Sequence, residues 1–487
     1  MNNKLIVFIL IVAASFLSCK KDLERVPVGT VDIDAFYKTS SDAETALLGC
    51  YNRVFGSDFN TNLLIFNDVS SDDERGYLFG SPYDTRIEIT KFNNPAENIW
   101  SVGYNAIANI NLLLEKVALL PDNIFLRPGR KQQIIAEGKF LRAYTYWHLL
   151  HIFGGVPLVL QFPKSTGIRE NAIPRNTKAE VYAQILLDLQ DAERDLPSNY
   201  NVATALAADN LRNTKGRATT WAAKMLQARL FLDLKDYTNA AAKTQEVSSS
   251  TIFQLSNDLA RDNNYRRIFF GEQNTEESIL EVQNIQNEID QGGFVFLHLG
   301  AFPPPFGVTE DLYFLGYDTT NGNGPRDIRR AGNIGPAGGP YYAVKYTKFF
   351  GDADPDNYII FRYAEALMIN AEAQNELQGP NNTSLNYVNL IRARARGVLF
   401  NVTYSGLPPI ILPSTKEAFR QIIRDEKRRE FALEGIRWYD LLRYGSNVAM
   451  AAVRRSTGNN LNDTTKLILP IPLREEQVSM LTQNPGY

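Results

Sequence analysis

The chain has 487 residues, 44% hydrophobic and 22% charged, with 51 basic and 54 acidic side chains and a formal net charge of −3. Such a length supports a large buried core, and the slightly acidic balance speaks against nucleic acid as a main partner. Two cysteines, Cys19 and Cys50, provide neither a disulfide framework nor a cysteine-rich metal site.

The chain opens with a short basic start, Met1-Asn2-Asn3-Lys4, then an apolar run from Leu5 to Phe16, then Leu17-Ser18-Cys19. The run is too short to anchor a protein by crossing a bilayer, and the order is that of an export signal. With cysteine at the cut it resembles the bacterial lipoprotein signal. That resemblance implies removal of residues 1–18, a diacylglycerol on the Cys19 sulfur and a further acyl chain, such as palmitate, on its freed amine. Residues 19–30 then form a polar, lipidated tether, and no later stretch is apolar enough to span a membrane. Residues 31–487 are expected to form a single domain, with an N-terminal part of about 31–250 and a C-terminal part of about 251–487.

Helical periodicity dominates the first half. Ser41 or Asp42 is positioned to cap a helix reaching about Val54, and a long helix spans about Ala96 to Leu119. The next carries Phe140, Tyr144, Trp147 and Leu150 on one face and ends at Gly154-Gly155. Thr177 and Glu180 form a capping box for a helix with the stripe Val181, Ile185, Leu189, Ala192 and Leu196. Residues 215–250 read as a helix pair with a turn at Lys235-Asp236-Tyr237-Thr238-Asn239. Ala228, Phe231, Tyr237 and Ala240 there resemble the middle of a tetratricopeptide repeat. Further helices are expected at about 359–377, 384–396 and, behind a Ser414/Glu417 capping box, to about Glu434. The fold class is therefore mostly α: tetratricopeptide-like helix pairs stacked as a scaffold. Irregular insertions are expected at about 57–95, 251–358 and 397–413. Within 300–340, 15 of 41 positions are Gly or Pro, which neither helix nor central strand tolerates.

Near the C-terminus stands Arg424-Asp425-Glu426-Lys427-Arg428-Arg429-Glu430-Phe431, followed by Glu434-Gly435-Ile436-Arg437-Trp438-Tyr439-Asp440-Leu441-Leu442-Arg443. This resembles the hallmark of the SusD/RagB family of outer-membrane nutrient-binding lipoproteins. Phe140-Leu141-Arg142-Ala143-Tyr144, Phe153-Gly154-Gly155-Val156-Pro157, Leu390-Ile391-Arg392-Ala393-Arg394-Ala395, Ile468-Leu469-Pro470-Ile471-Pro472 and the ending Asn484-Pro485-Gly486-Tyr487 are similar to that family too. The resemblance implies an outward-facing, non-catalytic lipoprotein of the outer membrane. It would act as a lid over a SusC-like TonB-dependent β-barrel transporter, with an oligosaccharide as ligand and no cofactor. A surface enzyme acting on glycans, a helical scaffold of an envelope complex and a peptide-binding importer lid are the competing readings. Taken by themselves, Glu426, Arg429, Glu430, Glu434, Arg437 and Arg443 fit a charge-paired network locking the last helices better than a charged ligand site.

Other chemistry is sparse. His148 and His151 sit at a spacing that suits two metal ligands on one helix face, but no motif completes a site, so polar satisfaction or packing is the preferred role. No P-loop, dinucleotide fingerprint or nucleophile elbow occurs. Trp100, Trp147, Trp221 and Trp438 fall in or beside helices and read as core. The insertions hold the more telling aromatics, seven in the 24 residues from 294 to 317 against 11% overall. Sugar C–H faces pack on aromatic planes while hydroxyls need polar partners, although such rings also pin loops to a scaffold. A ligand is expected between the 57–95 and 290–320 insertions. Tyr77, Tyr83, Phe302 and Tyr317 are the candidate planes, and Asp73 and Arg75 the polar partners.

Overall fold

The computed structural model describes residues 36–76, 81–163, 173–201, 207–256, 265–269, 272–283, 306–317, 327–335, 341–346, 357–399 and 402–487; Cys19, Tyr77, Phe302 and His298 lie outside them. The described chain is mostly helical, with three two-stranded sheets.

Helix α1 (Ser40–Phe55) starts earlier than expected. Thr39 is its cap: its hydroxyl accepts from Asp42 N at 3.2 Å, while the Asp42 carboxylate accepts from Thr39 N at 2.7 Å. Asp42 thus closes a capping box instead of capping. Helix α2 (Ser57–Ser70) occupies the first part of the expected 57–95 insertion. Its Asn and Asp residues mask the period in sequence, yet Phe59, Leu63, Phe66 and Val69 are buried. A three-residue strand β1 (Glu74–Gly76) follows.

Helices α3 (Glu97–Leu119) and α4 (Arg130–Phe153) then pair. α4 is not amphipathic. Tyr146 and Leu149 are buried as well as Phe140, Tyr144, Trp147 and Leu150, because α1, α3 and α5 (Lys178–Asp195) pack around it. A helix enclosed in this way needs no polar face. α5 begins at the expected box, with Glu180 N donating to the Thr177 hydroxyl at 3.3 Å and Thr177 N to Glu180 at 2.7 Å. After α6 (Ala207–Lys215), α7 (Thr220–Asp233) and α8 (Tyr237–Ser248) form the tetratricopeptide-like pair. Their turn places Lys235 at φ 58° and lets Asp236 accept from Asn239 N at 3.1 Å. Ala228 and Ala240, both 0% exposed, allow close packing there.

Two strands, β2 (Ser278–Val282) and β3 (Phe306–Val308), precede β4 (Tyr358–Arg362). β4 pairs with β2, so residues 359–362 are strand where helix was expected. The run Tyr-Ile-Ile-Phe suits a buried strand. Helix α9 (Tyr363–Gln378) packs between α8 on one side and α10 (Asn382–Arg394) and α11 (Lys416–Phe431) on the other. Its Ala366, Ile369 and Ala373 join the main core, whereas Ala364, Leu367, Met368 and Ala371 join a second core with Val388, Ile391, Phe419 and Ile423. The hairpin β5 (Gly397–Leu399) and β6 (Val402–Tyr404) fills part of the third insertion.

The cap of α11 is Thr415, which accepts from Ala418 N at 3.2 Å; the expected Ser414/Glu417 box does not form, since the helix begins one residue later. α11 also ends early, at Phe431. Leu433 and Gly435 take φ of 65° and 70°, and a Cβ on Gly435 would come within 2.9 Å of Leu64. A side chain at position 435 would be both strained by that φ and crowded by Leu64. α12 (Arg437–Tyr444) and α13 (Ser446–Thr457) follow. No helix among the described residues is long and apolar enough to cross a membrane.

Candidate functional site

The hallmark residues build a buried charge lattice. Glu430, 0% exposed, accepts from Arg329 at 3.0 Å and Arg362 at 2.6 Å and also pairs with Arg394. Arg362 and Lys345 both reach Glu434, at 2.7 and 2.5 Å. Glu426 binds Arg329 at 2.7 Å and Arg392 at 2.8 Å. Arg443 pairs with Glu372 and with Asp440. Burial opposes the Glu430 charge, but Arg394, Arg362 and Arg329 outweigh it and hold the carboxyl well below its ordinary range. The hallmark therefore locks helices together.

One part of this lattice positions the insertions. Arg428 on α11 donates to Asp73 at 3.0 Å, to the Asp72 carbonyl at 2.5 Å and to Asp311 at 2.6 Å. Arg437 grips both Asp72 oxygens, at 2.7 and 3.0 Å. Next to this clamp, β1 pairs antiparallel with β3, Arg75 opposite Gly307. Thr309 fastens the joint: its N–H donates to the Asp73 carbonyl at 2.9 Å and its hydroxyl to the Asp72 carbonyl at 2.7 Å. The 57–95 and 290–320 insertions thus meet in one small sheet.

Beyond β3, a single π-helical turn at Asp311–Gly316 sets out an aromatic face. Tyr341 stacks on Tyr313 at 3.6 Å and 17°. Phe314 stands edge-on to both, at 4.9 and 5.7 Å, and is 56% exposed. The Arg330 guanidinium lies 4.2 Å over the Tyr313 ring and donates to its hydroxyl at 2.6 Å. The Tyr341 carbonyl accepts from Val308 N at 2.9 Å, tying this face to β3. A Cβ on Gly335 would lie 2.5 Å from the Tyr342 ring, so glycine lets that half-buried tyrosine lie flat.

The candidate residues divide sharply. Arg75 is half-buried on β1 and makes no ion pair among the described residues. Tyr83 is 6% exposed, packs edge-on against Phe66 and donates to the Pro95 carbonyl at 3.1 Å. Tyr317 is 3% exposed, donates to the Arg429 carbonyl at 3.3 Å and accepts from Asn333 at 2.8 Å. Neither offers a plane to a ligand; both pin insertions to the scaffold. Asp73, 0% exposed, serves Arg428 instead of a ligand. Its burial and the neighbouring Asp72 raise its carboxyl to about 6 despite Arg428. Asp72 is driven the other way, since Arg428 and Arg437 overcome its burial and hold it well below the usual range. Tyr77 and Phe302 lie outside the described residues. Phe314, Tyr341 and Arg330 went unselected in sequence; the Tyr341-Tyr342 pair behind a Gly/Pro run was the available signal.

The two described histidines have protein partners. His148, buried and with its pKa lowered by that burial, shares a hydrogen bond of 2.8 Å with the Tyr439 hydroxyl, and His151 lies 3.1 Å from Asp233. Among the described residues no group of three or more His, Cys, Asp or Glu is arranged to hold a metal. Trp100, Trp147 and Trp438 are buried, while Trp221 is half-buried.

Comparison with known proteins gives a consistent picture. The sequence profile of the SusD family matches residues 345–487, and a profile described as "Starch-binding associating with outer membrane" matches residues 81–232. SusD-like protein P2 of Formosa agariphila is 25% identical, with 96% of each chain covered. The starch-binding protein SusD of Bacteroides thetaiotaomicron is 25% identical over 79% of this chain and 77% of its own. Among solved structures, a SusD-like protein from Bacteroides fragilis superposes with a TM-score of 0.75 at 21% identity, covering 95% of this chain and 100% of the other. A laminarin-binding SusD-like protein gives 0.69 at 23% identity, over 93% and 100%. These likenesses establish the shared fold. With the hallmark lattice in place at the C-terminal end and relatives matching nearly the whole chain, the protein belongs to the SusD/RagB (SusD-like) family.

Proposed function

We propose that this protein captures oligosaccharides at the cell surface and hands them to a SusC-like TonB-dependent outer-membrane transporter, binding glycan without turning it over. In this reading Cys19 carries the lipid that holds the protein in the outer membrane, facing outward. The observation that carries it is Phe314, exposed on an aromatic face where two insertions are joined. A sugar ring packs its C–H face on such a plane, while a cation such as Arg75 bonds its hydroxyls. Tyr77 and Phe302 belong to the same two insertions and are further candidate planes. The names of relatives support the ligand class: one is a starch-binding protein and one structural neighbour binds laminarin.

A glycan array followed by calorimetry on the mature chain tests this. Phe314→Ala should weaken binding of an identified oligosaccharide by about 1–3 kcal/mol, the scale of stacking on an aromatic ring. Arg75→Ala should cost about 1.5–3 kcal/mol, as for a hydrogen bond to a charged group. Both should melt like the parent, because neither side chain is buried. Unchanged affinity in both would remove the face from the reading.

A further inference from the structure

Two arginines stand side by side in the short helix Ile328–Asn333 and do opposite things. Arg329 is 0% exposed and commits its guanidinium to Asp327, Glu426 and Glu430. Arg330 is half-buried, lies against the aromatic face and makes no ion pair among the described residues. Carboxylates on the neighbouring segments are already engaged. Asp311 holds Arg428 and Arg455, and Asp327 holds Arg329. Glu310, exposed at the start of the π-helical turn, forms no ion pair with Arg330.

Arg330 is nevertheless held in place. Its guanidinium lies 4.2 Å over the Tyr313 ring, and one nitrogen donates to the Tyr313 hydroxyl at 2.6 Å. A guanidinium stacked on an aromatic ring keeps the donors along its edge free. The other two nitrogens have no partner among the described residues and are not enclosed. Ile328 N donates to the Ala395 carbonyl at 3.2 Å, which draws the hairpin of β5 and β6 alongside. Tyr404 of that hairpin is half-buried, and its hydroxyl is likewise unbonded and open. Burial raises the Tyr404 phenol, and the Arg330 charge works against that rise, so the two groups are neighbours. Phe314 and Arg330 meet the same Tyr313 ring, at 4.9 and 4.2 Å from its centre. A sugar resting on Phe314 therefore carries its substituents to the guanidinium.

We propose that the glycan bound on the aromatic face is acidic, and that Arg330 holds its anionic substituent, a uronate carboxylate or a sulfate ester, with the Tyr404 hydroxyl as a further donor. The fork of a guanidinium offers paired donors, which such an oxyanion accepts together and a single sugar hydroxyl does not match. This choice of substrate class rests on the glycan-capture reading.

The test is an array of uronate-bearing and sulfated oligosaccharides, each beside its methyl-esterified or desulfated counterpart, probed with the mature chain carrying Cys19→Ala. Calorimetry follows on the best pair. At least one acidic glycan should bind about tenfold tighter than its neutralised counterpart, the lower end expected for a hydrogen bond to a charged group. Whether esterification or desulfation removes that advantage identifies the oxyanion. Arg330→Gln should weaken the acidic member by about tenfold to a hundredfold and close the gap. Phe314→Ala should weaken both members alike. Binding of neutral glycans only, or an acid preference that survives Arg330→Gln, overturns the proposal; Phe314-dependent binding of a neutral glycan then leaves the proposed function standing. Absence of binding to every glycan overturns both. Should Arg330→Gln fail to fold, Arg330→Lys takes its place, since it keeps the charge and loses the paired donors. An acid preference untouched by that change overturns the proposal equally.

Discussion

Glu430 shows how a single hallmark residue works. It draws Arg329, Arg362 and Arg394 from three separate segments onto one buried carboxylate. Glu430→Gln should destabilise the fold by about 3–5 kcal/mol, measured by urea unfolding, because removing one partner strands buried charges. Acid should have a related effect. Glu430, Asp440 and Asp72 all sit below their ordinary pKa range, where burial is outweighed by neighbouring cations. Their stabilisation is complete above the unfolded carboxylate range and is lost as pH falls through it toward each folded value. Asp73 has the opposite sign: raised to about 6, it makes the ionised form costly to the fold as pH climbs. Asp73→Asn should thus gain stability relative to the parent between about pH 4 and pH 6. Equal pH profiles would contradict that assignment. Sequence carried the charge pattern, but it could not show that Asp73 belongs to Arg428.

At the scale of elements, the joint between β1 and β3 depends on α11 beneath it. Arg428 reaches Asp73 and Asp311, one from each insertion. Arg428→Met should leave three carboxylates around an apolar side chain and loosen the joint first. Hydrogen exchange should then accelerate at the amides of Val308 and Thr309 well before those in α4. Equal acceleration throughout would mean that the joint has no stability of its own. By contrast, Trp147→Ala strikes the enclosed α4, where Trp147 also donates to Asp233 at 2.8 Å. The cavity left there should cost about 3–5 kcal/mol, seen as a lower denaturation midpoint. Local capping rules placed the start of α5 correctly and missed α1 by two or three residues and α11 by one. Thr39-Ser40-Ser41-Asp42 and Ser414-Thr415 each offer more than one capping side chain, and backbone direction, set by packing, decides which one caps.

For the whole molecule, the lid reading demands an anchor and a partner. Cys19→Ala should abolish acylation and release the protein from the membrane fraction; radiolabelled fatty acid on the variant would defeat the anchor proposal. Extraction in mild detergent followed by affinity purification should recover a β-barrel transporter. If only the single chain is recovered, under conditions that keep other envelope complexes intact, a transporter partnership is refuted.

The sequence by itself determined the mostly helical class, the tetratricopeptide-like pair at α7 and α8 and the family, because these rest on short-range periodicity and on motifs of fixed spacing. It also brought the two insertions together in expectation, and the β1–β3 pairing joins them. The tertiary structure alone decided which aromatics face solvent. Tyr83 and Tyr317 turn inward to cover scaffold and satisfy backbone carbonyls, while Phe314, one residue after the buried Tyr313, turns outward. In a Gly/Pro-rich segment no helical or strand period fixes the direction of a side chain, so only the completed packing around it does.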